Sequence, residues 1–214
     1  MESKNFIAEC LRNLDLSEDL IPKVFQENEM VSIDVALKLL DLSREHISAI
    51  FFLMNNNKNG SAMALLRPAI EAAVRGYWLY YSPPVDQKVS DPSKVKFNWP
   101  SFDYMIKQIS KKSELKYFDN YIRQFGTLCG FTHGDYRQIN NRLHGEEIIF
   151  KLDSVRSAVI FSLIVKLKFY CDELIIKISG STENLVPLFK VVNDFNLIIA
   201  QYLSSQHPDI WNRS

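Results

Sequence analysis

Three charged residues lie in one line on an otherwise apolar stretch of the chain. In LLRPAIEAAVRGYWLYY, residues 65–81, Arg67, Glu71 and Arg75 are spaced at i, i+4 and i+8. On a helix this spacing places them on one strip of the surface, with Trp78 beside them. Two arginines around one glutamate leave an excess positive charge, and guanidinium groups held by a carboxylate can donate to an anion such as phosphate. We therefore treat these four residues as candidate ligand-binding residues.

Two interpretations of this strip are open. It can be the solvated side of the helix, where each i, i+4 pair contributes a few tenths of a kcal/mol, roughly. It can instead line a partly buried polar cleft, where an unpaired charge is costly and each arginine needs a partner. A helix that is apolar nearly all round is usually central in its protein. The degree to which the three charged side chains are buried distinguishes the two interpretations.

A second polar segment follows a predicted helix over residues 113–131. His133 continues an apolar line of that helix, and Gly134 offers a position at which the helix can stop. A histidine at a helix C-terminus is favoured in its protonated form, which suits a catalytic or anion-binding role. A histidine at an apolar edge is also commonly a capping or core residue, so that alternative stays open.

The same segment contains an arginine and a histidine at a spacing used in RNA cleavage. Arg137 and His144 are separated by six residues, and Arg142 lies between them. An arginine followed by a histidine after four to six residues is known from one class of metal-independent ribonuclease, although the spacing alone is weak evidence. In such an enzyme, His133 or His144 would act as general acid or base. Arg67, Arg75 or Arg137 would stabilise the charge on the phosphorane.

Helical periodicity dominates the elements that must position these residues. The sequence predicts an all-α fold without a sheet, a bundle of four or five long helices with short N-terminal helices. Residues 1–32 would form an N-terminal helical extension and residues 33–214 a single bundle domain. Ser61 is the predicted N-cap of the charged helix, and Pro68 should bend it locally. The predicted helices cover about 4–14, 17–28, 33–56, 61–81, 101–111, 113–131, 151–179 and 183–205, with a long loop over 82–100.

Composition excludes several classes of protein. The 25 basic and 25 acidic side chains cancel, so no overall field draws the chain to nucleic acid or to an anionic membrane. The three cysteines are isolated from one another, which argues against a zinc site and suits a reducing cytoplasm. The apolar runs are too short to span a bilayer, and the start lacks the pattern of a signal peptide. We predict a cytoplasmic protein with no metal site and no cofactor.

Two motifs in this chain resemble a known group of helical proteins. The pattern R-P-x-x-E-x-x-x-R-G-x-W runs from Arg67 to Trp78, and a T-H-G segment follows at 132–134. With His46 on the long preceding helix, these motifs resemble an uncharacterised bacterial branch of the HEPN-like proteins, over about residues 35–178. The resemblance implies a helical bundle that often dimerises. In some branches it implies a ribonuclease at the dimer interface, in toxin or phage-defence settings.

Three hypotheses about function follow. The first is a module that binds a nucleotide, RNA, another phosphorylated ligand or a protein partner, with His46 and Arg142 as further ligand-binding candidates. The second is a metal-independent ribonuclease of HEPN type. The third is a structural antitoxin or immunity partner in which Arg67, Glu71 and Arg75 form a network that fixes helix register. All three are compatible with a homodimer that does not bind a membrane.

Overall fold

Helices account for nearly all regular structure in the described part of the chain. The computed structural model describes residues 3–22, 31–82, 98–113, 143–144, 147–148 and 154–206. The helices are α1 (Ser3–Glu18), α2 (Val31–Asn55), α3 (Asn59–Tyr81), α4 (Phe102–Ser113), α5 (Ser154–Ser179) and α6 (Leu185–Gln206), with a 3-10 turn at Thr182–Asn184 before α6. The predicted all-α class is confirmed.

The predicted absence of a sheet is wrong at one place. Strands β1 (Leu143–His144) and β2 (Glu147–Ile148) form an antiparallel ladder, with Leu143 opposite Ile148 and His144 opposite Glu147. The ladder lies within the polar segment that helical periodicity leaves unassigned. Residues 114–131 of the predicted helix 113–131, and residues 83–97 of the predicted loop, lie outside the described residues.

Helices α2 and α3 form a hairpin around a short turn. Asn57 has a positive φ of 59°, a conformation that asparagine tolerates better than most residues, and it reverses the chain. Lys58 is then the N-cap of α3, and its carbonyl accepts from the backbone N–H of Ala62 at 3.0 Å. The prediction that Ser61 caps this helix is therefore wrong, because the turn lets α3 begin two residues earlier.

Close backbone approach holds α2 against α3. A Cβ built on Gly76 would lie 2.9 Å from Cγ of Leu40 and 3.1 Å from the carbonyl oxygen of Ala36. Seven residues before it along α3, the carbonyl of Ala69 accepts from Oγ of Ser43 at 2.8 Å. Pro68 lies inside α3 without ending it. Helix α3 also packs against α4 and α5.

The sequence predicts two short helices in the N-terminal region, 4–14 and 17–28, and the structure differs from this prediction. Residues 23–28 of the second predicted helix lie outside the described residues. One helix, α1, runs through the expected break and ends at Glu18. Ser17 does not cap a second helix, because its Oγ donates within the same helix to the carbonyl of Leu14 at 2.8 Å. The chain then leaves α1 in a turn closed by the backbone N–H of Ile21 on the carbonyl of Glu18 at 3.1 Å.

Aromatic contacts pack α1 onto the C-terminal helices. Phe6 stacks on Tyr202 of α6 with ring centroids 4.0 Å apart, and it meets Phe161 of α5 edge-on at 5.1 Å. Nδ2 of Asn184, just before α6, donates to the carbonyl of Leu20 at 2.8 Å. These contacts join the two ends of the described chain. The division into residues 1–32 and 33–214 stays a prediction.

The later helices begin and end close to their predicted bounds. Helix α4 was expected over 101–111, α5 over 151–179 and α6 over 183–205, so each differs from its prediction by a few residues at most. No described helix combines the length and the apolar character that crossing a membrane requires.

Candidate functional site

Glu71 lies between two arginines on α3. Its Oε1 accepts from Nε of Arg67 at 2.7 Å, and its Oε2 is 3.5 Å from Nη2 of Arg75. The side chains of Arg67, Glu71 and Arg75 are 24%, 21% and 37% exposed, so the strip is partly buried and not fully solvated. The three groups carry one net positive charge at neutral pH.

Two tryptophans enclose one end of this strip. Cζ of Arg75 lies 5.3 Å from the ring centroid of Trp99, within the range of a cation–π contact. Trp78, which is 7% exposed, meets Trp99 at 5.9 Å with an interplanar angle of 61°. Trp99 lies just before α4, so a residue of the predicted loop forms one side of the site.

Two buried donors in this group have no acceptor. Within the described part of the chain, Nε of Arg75 and Nε1 of Trp78 are both buried and make no hydrogen bond. An unsatisfied buried donor costs about 1–3 kcal/mol, so a native fold rarely retains one without a reason. Both groups are donors only, and their natural complement is an oxygen atom.

The structure does not bring the remaining predicted site residues into contact with the charged strip among the described residues. His46 is half-buried on α2, and among the described residues no hydrogen bond or ion pair joins it to Arg67, Glu71 or Arg75. His133, Arg137 and Arg142 lie outside the described residues, and only the backbone of His144 is described, in β1. A shared cleft between the strip and these residues stays a prediction.

A second polar centre was missed in the sequence. Nε of Arg44, on α2, donates to Oδ1 of Asp172, on α5, at 2.7 Å. Nζ of Lys168, one turn earlier on α5, donates to Oδ2 of Asp172 at 2.9 Å and to Oγ of Ser17 at 2.6 Å. Glu18, the last residue of α1, forms ion pairs with both cations. We call these five residues the buried network.

The buried network places three charged side chains almost entirely out of contact with solvent. The side chains of Lys168 and Asp172 are each 1% exposed, and that of Arg44 is 8% exposed. Burial by itself lowers the pKa of Arg44, but the carboxylates of Asp172, Glu18 and Asp41 outweigh it and raise that pKa above its ordinary value. Arg44 is therefore a permanent cation, and its carboxylate partners are needed to stabilise it.

The buried network borders a small cavity. The cavity has a volume of about 20 Å³, and its polar lining comes from Asn13, Ser17, Lys168 and Asp172. That volume is enough for about one water molecule. Apolar side chains of α5 and α6, with Leu14 of α1, line the rest.

The described thiols are poorly suited to chemistry. Burial raises the pKa of the Cys10 thiol and of the Cys171 thiol to about 12, so both are protonated at neutral pH. A protonated buried thiol is neither a good nucleophile nor a good metal ligand. In the described ranges, no three side chains of histidine, cysteine, aspartate or glutamate are grouped as metal ligands would be.

A search with protein-family profiles matched residues 40–171, more than half of the 214-residue chain, to the "Family of unknown function (DUF6988)". The chain belongs to DUF6988. The DUF6988 match includes the charged strip on α3, together with Arg44 and Lys168 of the buried network, and it ends one residue before Asp172. No curated protein and no solved structure matched the chain.

Proposed function

We propose that this chain is a HEPN-like helical protein that binds an anionic, oxygen-rich ligand at the strip of Arg67, Glu71, Arg75 and Trp78. A nucleotide or an RNA phosphate fits this chemistry. The net positive charge of the strip supports an anion, and partial burial supports a bound ligand over a merely solvated surface. The motif that carries the HEPN resemblance coincides with the strip, since it runs from Arg67 to Trp78.

One observation carries the proposal: the two buried donors that lack an acceptor. Nε of Arg75 and Nε1 of Trp78 belong to residues at i and i+3 on α3, and both residues contact Trp99. Residues at this spacing are neighbours on a helix surface, and because both donor atoms are buried, one ligand group reaches them when Trp99 moves aside. An oxygen from the ligand would satisfy donors that are otherwise left without a partner.

The ion pairs of the strip support a preorganised site. Glu71 fixes Arg67 at 2.7 Å and contacts Arg75 at 3.5 Å, while Trp99 covers the guanidinium group of Arg75. A guanidinium group held in this way loses little side-chain entropy when it binds an anion. Glu71 also lowers the local positive charge, which favours a ligand whose charge is small or spread over several oxygens.

Ligand-induced thermal stabilisation tests this function directly. The probes are inorganic phosphate, AMP, ATP and a short single-stranded RNA, each added to the full chain at fixed ionic strength. We expect at least one probe to raise the melting temperature saturably. Replacing Trp78 with Phe removes the N–H donor together with part of the buried ring and should weaken that binding by about 3–10-fold, while Arg75→Ala should weaken it by more than about 10-fold.

A matched control separates the site from general charge effects. Arg12 is an exposed arginine on α1, and Arg12→Ala removes the same charge far from the two tryptophans along the chain. If no probe stabilises the protein, or if Arg12→Ala and Arg75→Ala weaken binding equally, the proposal is wrong. The homodimer that the resemblance implies is tested separately by sedimentation equilibrium, where a 24.8 kDa species alone would contradict it.

A further inference from the structure

The carboxylate of Glu18 bridges two buried cations. Its Oε2 contacts Nη2 of Arg44, and its Oε1 is 3.0 Å from Nζ of Lys168. The cations are 8% and 1% exposed, whereas the Glu18 side chain is 45% exposed. A carboxylate that uses one oxygen on an arginine and the other on a lysine binds as a free oxyanion would.

The two cations keep their positions by contacts that do not involve Glu18. Asp172 accepts from Arg44 at 2.7 Å and from Lys168 at 2.9 Å, and Ser17 accepts from Lys168 at 2.6 Å. Asp41 also pairs with Arg44, at 2.8 Å, but its side chain is 69% exposed and its charge is largely screened by water. Without Glu18, the buried part of the group would carry one positive charge.

The side chain of Glu18 can move away from the two cations without displacing the rest of α1. It is the last residue of the helix, whereas the buried side chains of Phe6, Cys10 and Leu14 hold the preceding turns. A rotation of one exposed side chain is therefore enough to open the position between the two cations. The adjacent cavity of about 20 Å³ adds space for about one water molecule.

We propose that Arg44 and Lys168 form a binding site for a small oxyanion, a carboxylate or a phosphate, which Glu18 closes in the free protein. The incoming oxyanion takes the two contacts of the Glu18 carboxylate, to Nη2 of Arg44 and Nζ of Lys168. This site is built by α1, α2 and α5, and it uses none of the residues of the charged strip.

Chemical rescue of a Glu18 variant tests the site. Glu18→Ala removes the methylene group and the carboxylate that together correspond to acetate, so acetate is the closest replacement. We expect the variant to melt roughly 5 °C below the wild type, because a buried cation pair has lost a partner. At constant ionic strength, acetate should recover at least half of that loss saturably, and chloride should not. Inorganic phosphate, titrated in parallel, tells a phosphate site from a carboxylate site.

Three further variants make the result specific. Glu9→Ala removes an exposed glutamate from the same helix and should respond to acetate no more than the wild type does. Glu18→Gln keeps the volume of the side chain, and a smaller rescue by acetate is expected there because the amide fills the site. Adding Arg44→Lys to Glu18→Ala replaces the planar guanidinium group with an ammonium group. The affinity for acetate in the rescue should then fall by about 3-fold or more.

Several outcomes would overturn the proposal. These are equal stabilisation of wild type, Glu9→Ala and Glu18→Ala by acetate, no saturable rescue by acetate or phosphate, or failure of both Glu18 variants to fold in either anion. In each case the contact of Glu18 with the two cations would be structural only.

Discussion

Arg44 and Asp172 lie 128 positions apart in the chain, yet Nε of Arg44 donates to Oδ1 of Asp172 at 2.7 Å. The other oxygen of Asp172 accepts from Lys168 at 2.9 Å, and the aspartate is 1% exposed. One buried carboxylate therefore pairs with two buried cations from different helices. Removing it would leave charge uncompensated at the place where α2 meets α5.

Neutralising Asp172 should destabilise the fold strongly. Asp172→Asn keeps the size of the side chain but leaves Arg44 and Lys168 with Glu18 as their closest remaining anion. We expect the free energy of unfolding to fall by about 3–5 kcal/mol, measured by urea denaturation. Asp194→Asn, at an exposed position on α6, should change it by less than about 0.5 kcal/mol. Equal effects of the two variants would contradict a structural role for the buried network.

Glu71 should contribute a smaller and salt-dependent amount. Glu71→Gln leaves Arg67 and Arg75 without their shared anion, but both arginines are partly exposed and water screens their charge. We expect the free energy of unfolding to fall by about 1 kcal/mol at low salt. This loss should shrink in ~1 M NaCl, because the Debye length there is only about 3 Å and salt screens the ion pairs. The exposed Glu45 on α2 provides the matched Glu→Gln control. A fall in the free energy of unfolding of more than about 3 kcal/mol is typical of a fully buried ion pair, and it would mean that water screens the strip less than its exposed fraction indicates.

Any side chain at position 76 should force α2 and α3 apart. An alanine Cβ would meet Leu40 at 2.9 Å and the carbonyl of Ala36 at 3.1 Å. Alanine favours a helix over glycine by about 1 kcal/mol, but overpacking typically costs about 1–3 kcal/mol, and here a backbone atom must yield. Thermal melts should therefore give a lower melting temperature for Gly76→Ala, whereas Ser61→Ala, exposed on the same helix, should melt like the wild type. A stabilised Gly76→Ala would show that the interface relaxes freely.

The protein should lose stability at alkaline pH. The folded thiols of Cys10 and Cys171 have a pKa of about 12, against an ordinary value of 9.0. Above pH 9 the unfolded chain releases these protons and the folded chain keeps them, so unfolding becomes more favourable as the pH rises toward 12. Each thiol should lower the free energy of unfolding by about 1.4 kcal/mol per pH unit in this window.

Urea titrations at several pH values check this slope. Burial also raises the pKa of the Tyr77 hydroxyl, which donates to the carbonyl of Tyr170 at 2.6 Å, so the slope should steepen above pH 10. Cys10→Ala should remove the contribution of one thiol to the slope, about 1.4 kcal/mol per pH unit, while lowering the free energy of unfolding at every pH. A free energy of unfolding that stays constant from pH 8 to pH 10.5 would contradict the prediction.

A binding module and a ribonuclease differ in one assay. If the chain only binds its ligand, single-stranded RNA incubated with the pure protein in EDTA should stay intact, and this is the outcome that we expect. Metal-independent cleavage that leaves a 2′,3′-cyclic phosphate would instead support the HEPN-type enzyme. Loss of such cleavage in His133→Ala, or in His144→Ala and Arg137→Ala, would then identify the catalytic residues, since general acid–base groups contribute about 10²–10⁴-fold.

Local patterns in the sequence were enough to predict most of the described helices. The apolar repeats of α2 and α3, and the polar NNNKNGS stretch between them, predicted both helices to within two residues at each end. The position of the cap was missed because Asn57 adopts a left-handed conformation, which composition does not specify. At the end of α1, Ser17 has the residue type of a cap but bonds backward within its own helix.

The buried network was missed because its members are far apart in the chain. Glu18 and Arg44 each look like ordinary surface charges in their local sequence, and only tertiary packing brings them to Lys168. One local signal was present. Lys168 and Asp172 are an i, i+4 pair in the largely apolar segment over residues 159–176, which also contains Lys166 and Glu173.

The long sequence separation within the buried network has a consequence for synthesis on the ribosome. Asp172 emerges 128 residues after Arg44, and Lys168 emerges four residues before Asp172. Chains elongate at about 5–20 residues per second, so α1 and α2 wait for several seconds before these ion pairs can form. Throughout that interval Arg44 lacks its partner Asp172. Docking of α5 is thus the step that completes the buried network.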